Sequence, residues 1–385
     1  MSIGTPPLGV NPGADSALID GGRNGDTQVM VDVKPVPLNR LVRAGNVLQS
    51  AVWGLAKRSP RVTPFSFQLS HAPPLLVMSY RIARDASYAY VPWGPEPPVH
   101  LQTGAYLEKL SRRLRSHLPA DCAYLRYDLP WESPWGDRVE GRPSVPTREL
   151  EFNFGTQDHR LRKAPTDVQP ADTLVVNLQQ TEDAVLRSMK SKTRYNIRLA
   201  RRRGVRVRAA SPRELHDWYQ LYASTMKRHG KPVHDKYHFQ RFLEAAAQFP
   251  HATVQPGEPV HNHNVRLLMA ERGGKPLAGM ILAVSGDYAV YLYGASSGTH
   301  TAAMPAYLLQ WEAMQTSRTL GAARYDMFGV PPDRRVGHPM HGLLRFKEGF
   351  GGDHVARRGC WDYPFDEARY HALAVREAAD GGYHR

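Results

Sequence analysis

Short apolar runs and helical periodicities alternate along this chain, and the order repeats. Leu75 to Ile82 and Tyr88 to Val91 read as adjacent strands, bounded by turn residues. A helical pattern from Gly104 to His117 follows, then strands at Cys122 to Leu129 and Thr173 to Leu178, the second feeding a helix near Thr181. Helices at Pro212 to Arg228 and Lys236 to Gln248 open the second half. Strands at Val265 to Glu271, Leu277 to Val284 and Tyr288 to Gly294 come next. A helix from Pro305 to Leu320 then stops at Gly321, and a strand runs from Arg324 to Phe328. This order predicts a mixed α/β (α+β) fold of two consecutive units, each of roughly 150 residues, in preference to one sheet. The expected boundaries are a disordered tail over 1–35, a first unit over 36–178 and a second over 179–359. Asn39 is the expected cap of a helix through Leu48. The segment from Pro130 to Pro146 is turn-rich.

Composition removes several classes. Apolar residues make up 42% and no run approaches the ~20 residues of a membrane span. The N-terminus lacks the basic and apolar regions of a signal peptide. Two distant cysteines, Cys122 and Cys360, match no metal or redox spacing, so a reducing cytoplasmic setting is expected. The pairs His261/His263 and His338/His341 have no Glu or Cys partner at zinc spacing, so no metal is expected. Fifty Lys and Arg against 36 Asp and Glu leave +14, which points to polyanionic partners: nucleic acid, nucleotide phosphates or an anionic membrane surface.

The charge concentrates in one place. Lys190, Arg194, Arg198 and Arg201 line one face of a helix, with Lys192 beside them. Leu186, Met189, Ile197 and Ala200 form an apolar stripe on another face, and Gly204 ends the element. Nine cations lie between Lys190 and Arg208 with no acid among them. Like charges one turn apart repel by about a few tenths of a kcal/mol each, and a polyphosphate would relieve that. The alternative is a solvated basic face.

A second concentration runs from His338 to Gly352, where a Pro turn, an apolar-basic run and a glycine-flanked Phe350 surround Lys347. Glycines there permit close approach of a ligand or a positive φ. The other reading is a strand end with a hairpin turn.

Several pieces in order carry a resemblance: Gln49 to Trp53 with Lys57, Tyr90 to Pro95, Leu125 to Trp131, and the basic helix from Lys192 to Val205. Tyr291 to Ser297, Met304 to Glu312, Tyr325 to Gly329 and the Lys347 block complete them. From about Gln49 onward the chain resembles the Fem (FemABX) family of tRNA-dependent peptidyltransferases, and its compact members in particular. The resemblance implies two tandem GNAT-like domains without a coiled-coil arm, with residues 360–385 returning to complete the first. Trp93 departs from the family pattern, which often has Arg before the Gly-Pro pair.

The implied reaction is acyl transfer from aminoacyl-tRNA to the side-chain amine at position 3 of the peptidoglycan stem peptide. The acceptor would be UDP-MurNAc-pentapeptide or lipid II. The ester is already activated, so no cofactor is implied; a monomer, with peripheral contact at the inner membrane face, is expected. By the resemblance Lys347, with Phe346 beside it, holds the tRNA 3′ end and the developing oxyanion. Lys57 and Arg266 fall where the family binds the precursor's diphosphate, Arg266 only by its place at the start of a strand. Tyr291 and Tyr293 line the groove or simply pack. Asp128 orients or deprotonates the amine, or it caps the loop at Pro130. Lys190, Lys192, Arg194, Arg198 and Arg201 are the expected tRNA contacts. Two rivals stand: an acyl-CoA transferase, whose nominal pyrophosphate loop Arg318 to Ala323 lies at the wrong end of a helix, and a non-catalytic RNA-binding protein. A related transferase with a different acceptor also stays open.

Overall fold

A computed structural model describes residues 31–43, 46–70, 72–98, 103–135, 143–249, 263–299, 301–332 and 337–380. The first half holds strands β1 (Val33–Pro35), β2 (Val62–Leu69), β3 (Ala72–Ala83), β4 (Ala86–Val91), β5 (Cys122–Glu132), β6 (Arg162–Lys163) and β7 (Asp172–Asn177). Its helices are α1 (Ala51–Lys57), α2 (Thr103–Arg115) and α3 (Val145–Phe152). The second half begins with helices α4 (Glu182–Ser188) and α5 (Ser191–Arg202), then β8 (Arg206–Ala210), α6 (Leu215–Arg228) and α7 (Lys236–Ala247). It continues through β9 (His263–Arg272), β10 (Lys275–Ser285), β11 (Tyr288–Ser296), α8 (Pro305–Thr319), β12 (Arg324–Asp326) and α9 (His341–Glu348). It ends with β13 (Asp353–Pro364) and α10 (Glu367–Asp380).

The repeat expected from the sequence is present in the connectivity. Antiparallel β2–β3–β4 cross through α2 to a parallel β5, and antiparallel β9–β10–β11 cross through α8 to a parallel β12. The expectation of separate sheets is corrected. One sheet runs β1-β2-β3-β4-β5-β13-β7-β12-β11-β10-β9-β8, with β6 beside β13. The cause is an exchange of strands. β7, which follows the first repeat, pairs with β12 of the second, and β13, which follows the second, pairs with β5 of the first. β7 and β13 then pair antiparallel and close the seam. α10 packs back on β5, where Arg126 holds Asp362 of β13 and Glu377 of α10.

Three local expectations also change. Residues 1–30 lie outside the described residues, but Val33–Pro35, placed in the tail, pairs with β2. The helix expected from Asn39 through Leu48 is two 3-10 turns, Leu38–Arg43 and Val47–Gln49, and only then α1. Asn46 accepts a hydrogen bond from the Gln49 amide (2.9 Å) and Ser50 from that of Trp53 (3.2 Å), so each starts a fresh turn. α3, not foreseen from the sequence, begins where the segment read as turns ends, started by Ser144 and Pro146.

The central core draws on both halves. Leu76, Met78, Tyr90 and Trp93 pack with Trp218, Phe239, Leu267 and Ile281, with α1, α6 and α7 covering that face. A second core under α5 and α8 serves the second half, and a third under α2 serves the first. Among the described residues no helix is long and apolar enough to cross a membrane.

Candidate active site at the seam

The Lys347 block is a helix, which corrects the alternative of a strand end. Leu344 and Lys347, three residues apart on α9, form its buried face. The Lys347 ammonium donates to the carbonyl oxygens of Phe328 (2.8 Å) and Gly329 (2.7 Å) and lies 5.8 Å from the centre of the Tyr291 ring. It is 3% exposed, and burial pushes its pKa down to about 7, against an upward pull from Asp326. Phe346 stands edge-on to Tyr307 and Phe350. The glycines after Phe350 serve the fold itself. Gly351 has φ +77, and a Cβ there would collide with the Ser188 carbonyl at the end of α4.

What fixes the two carbonyls is Asp326. It accepts from the Phe328 amide (2.7 Å), from Tyr288 (2.8 Å), from Thr173 and from the Arg357 guanidinium (2.5 Å). Arg357 also lies 4.3 Å over the ring of Trp93, and Trp93 packs against Phe328 at 5.8 Å. Both Trp93 (φ 43) and Phe328 (φ 62) have left-handed backbones, two of four such non-glycine residues among those described. Each such residue stores about 1–3 kcal/mol, and strain of this kind gathers at functional sites. Trp93 thus receives a guanidinium from β13.

Asp128 adjoins the same seam through backbone, since the Gly94 amide donates to its carbonyl (3.1 Å). Its carboxylate is 2% exposed and accepts from Tyr90 (2.8 Å) and from the Gln169 amide (3.0 Å). Burial pushes its pKa up to about 7, with the Tyr90 hydrogen bond opposing. The structure thus brings Lys347, Phe346 and Tyr291 together, and Asp128 connects to them only through the Gly94 backbone and the charge of Arg357. Asp326 and Arg357, which organise the site, were missed. Asp326 was visible within the Tyr325–Gly329 motif, whereas nothing local marked Arg357.

Tyr293 belongs elsewhere. Tyr291 pairs with Leu282 and Tyr293 with Ile281, so Leu292 is extra and bulges. The bulge keeps Leu292 and Tyr293 on one face and leaves Tyr291 on the other. Gly294 leaves room for the Tyr291 hydroxyl. Tyr293 instead bonds His238 (3.0 Å), which stacks on His234 (4.6 Å). Lys57 shares this neighbourhood: its ammonium sits 4.7 Å over the Trp53 ring, with its pKa brought down to about 8 by burial and by Arg241. Burial, then the charges of Lys57, His234 and Arg241, force the pKa of His238 down to about 2. Lys57 and Arg241 thus carry the charge of this neighbourhood, while burial holds the two imidazoles neutral. Arg266 is not part of it. That side chain bonds Asn264 (3.2 Å) and lines a separate cleft with Leu243, Ala246 and Phe249.

The basic segment follows α4 and runs through α5 into β8, and its cations divide. Arg194 turns back onto the carbonyls of Leu186, Arg187 and Met189, capping α4. Lys190 pairs with Glu348 of α9 (3.2 Å), Arg201 with Glu312 (2.7 Å), and Arg208 with Glu214 and Glu271. The repulsion inferred from sequence is therefore partly compensated by acids from distant segments. Lys192 and Arg198 stay exposed. His261 lies outside the described residues.

A FemAB family model matches residues 152–255 and 261–377, more than half of the chain. The chain belongs to the FemAB family. Among curated relatives, the lipid II:glycine glycyltransferase of Staphylococcus epidermidis is 24% identical over 274 residues, 59% of this chain and 65% of that protein. The Staphylococcus aureus protein of the same name is 23% identical over 259 residues, 54% and 62% of the two chains. This chain thus spans less than two-thirds of the curated relatives it matches. The crystal structure of FemX superposes with a TM-score of 0.70 at 16% identity, covering 89% of this chain and all of that one. The FemAB-type fold is shared.

Proposed function

We propose that this FemAB protein transfers an amino acid from aminoacyl-tRNA to the side-chain amine at position 3 of a peptidoglycan stem peptide, with lipid II as the acceptor. The observation that carries the reading is Lys347, a buried ammonium held on two carbonyls at the seam. An oxyanion forming beside it would complete its neutralisation, so the site favours the transition state over the empty state. Aminolysis of an ester needs an aligned amine, a proton acceptor and an oxyanion donor. In this reading Lys347 is the donor and Phe346 walls the site. Asp128, with a pKa near 7 where a general base works best, takes the amine proton as the amide bond forms, and the ester C–O bond breaks with that proton passing to the departing tRNA 3′ oxygen. Lys57, beside His234, His238 and Tyr293, holds the diphosphate of the acceptor.

The names of the staphylococcal relatives support lipid II and a glycyl group. The acyl-CoA rival loses its loop. The amides of Leu320, Gly321, Ala322 and Ala323 bond Thr316, Arg318, Ser317 and Asp287, and none is left to cradle a pyrophosphate. The test combines purified protein, total tRNA charged with labelled amino acids, and either lipid II or UDP-MurNAc-pentapeptide, with mass mapping of the product. Label on the third-residue amine of lipid II is expected. A folded protein that labels neither acceptor would refute the assignment.

A further inference from the structure

Tyr195 sits half-exposed in the middle of α5, one of few large apolar side chains left in solvent. It shares a helix face with Lys192, Arg198 and Arg202, at spacings of three, three and seven residues, all three cations exposed. The Arg202 guanidinium lies 5.9 Å from the ring centre. Among the described residues these three cations meet no carboxylate, in contrast to Lys190, Arg201 and Arg208 on the flanks. The fold has thus sorted one charged segment into paired cations and an open cationic face with a single aromatic at its centre.

We propose that this face binds single-stranded RNA, with Tyr195 stacking an unpaired base while Lys192, Arg198 and Arg202 meet the flanking phosphates. The inference rests on the proposed use of aminoacyl-tRNA and names where the strand next to its acceptor end lies. Every base has a π-face, so one ring within a cationic rim suits a strand of any sequence. A paired helix would hide its bases and meet only the cations. An anionic bilayer is the competing surface, but it needs an apolar face to insert. Here the apolar face of α5, Ile197 and Ala200, is buried in the core. The position also fits. Lys190, at the start of α5, bonds the Gly349 carbonyl (2.9 Å) at the end of the Lys347 helix. Tyr195 lies five residues further on, about 8 Å along the helix axis.

The test compares wild type, Tyr195→Ala and Tyr195→Phe for binding to a short labelled single-stranded RNA, to its duplex, and to vesicles of phosphatidylglycerol and phosphatidylcholine. Donor kinetics in the transfer assay run alongside. Tyr195→Ala should weaken single-strand binding roughly 5- to 150-fold, the equivalent of losing one stacked base. It should leave the duplex nearly unchanged and raise KM for the charged tRNA with little effect on kcat. Tyr195→Phe, which keeps the ring, should restore both. Single-strand binding that ignores Tyr195→Ala, or vesicle binding that alone depends on Tyr195, would overturn the proposal. Tyr195-dependent RNA binding without transfer from any charged tRNA would support this face and refute the proposed function. Normal transfer with unaltered KM in Tyr195→Ala would do the reverse.

Discussion

Replacing Lys347 by Met keeps the length and the apolar stem of the side chain while removing a buried charge. Burial brings this lysine from 10.5 to about 7, a difference worth about 5 kcal/mol between the charged and neutral forms. The sign follows from proton counts. Between pH 7 and 10.5 the unfolded chain carries a proton on this lysine that the folded chain has shed. Wild-type stability from this group therefore rises by about 1.4 kcal/mol per pH unit across that window, and the contribution is lost as pH falls towards 7. Met has no such slope. Urea unfolding of both proteins from pH 7.5 to 9.5 should show the stability of wild type gaining on Lys347→Met by about 3 kcal/mol in all. Every other titrating group cancels in the difference. Parallel stability curves would mean that Lys347 is hydrated and ordinarily charged, and the argument for a lysine awaiting an anion would fall.

Other consequences are as direct. Arg357→Met leaves the buried Asp326 carboxylate without its cation and should destabilise the fold by about 3–5 kcal/mol in urea titrations; Tyr288 and Thr173 alone sufficing would show up as a loss under 1 kcal/mol. Gly294→Ala puts a methyl where the Tyr291 hydroxyl lies, so kcat should fall and a crystal structure should show the ring turned away from Lys347. Lys57→Ala should raise KM for lipid II more than it lowers kcat. With the wild-type pKa near 8, acceptor affinity should weaken as pH rises past 8 in wild type and stay flat in the variant.

The strand and helix order was legible in the sequence because its periods are local: β3, β4, β5, β9, β10, β11 and α8 lie close to where the apolar patterns placed them. The joining of the repeats was not, apart from the C-terminal return to the first repeat that the resemblance implied. β7 and β13 change partners across a long stretch of chain, and no pattern within either strand says which neighbour it takes. The same limit explains the site. Lys347 and Asp128 stood out within their own motifs, but Arg357 matters only because β13 crosses the seam. Tyr293 left the expected groove because one extra residue, Leu292, reverses the alternation of β11. The nine cations of the basic segment looked unbalanced because Glu312, Glu348, Glu214 and Glu271 reach them from other elements.

Single-turnover transfer of a labelled amino acid from tRNA to lipid II, with wild type and Lys347→Ala both saturated with the two substrates, tests the central claim most directly. Saturation removes binding from the comparison and leaves the contribution of the ammonium to the chemical step. The account predicts label on the third-residue amine at a rate lowered roughly 10²- to 10³-fold by the substitution. Equal rates in the two proteins would place the oxyanion away from Lys347 and contradict the mechanism.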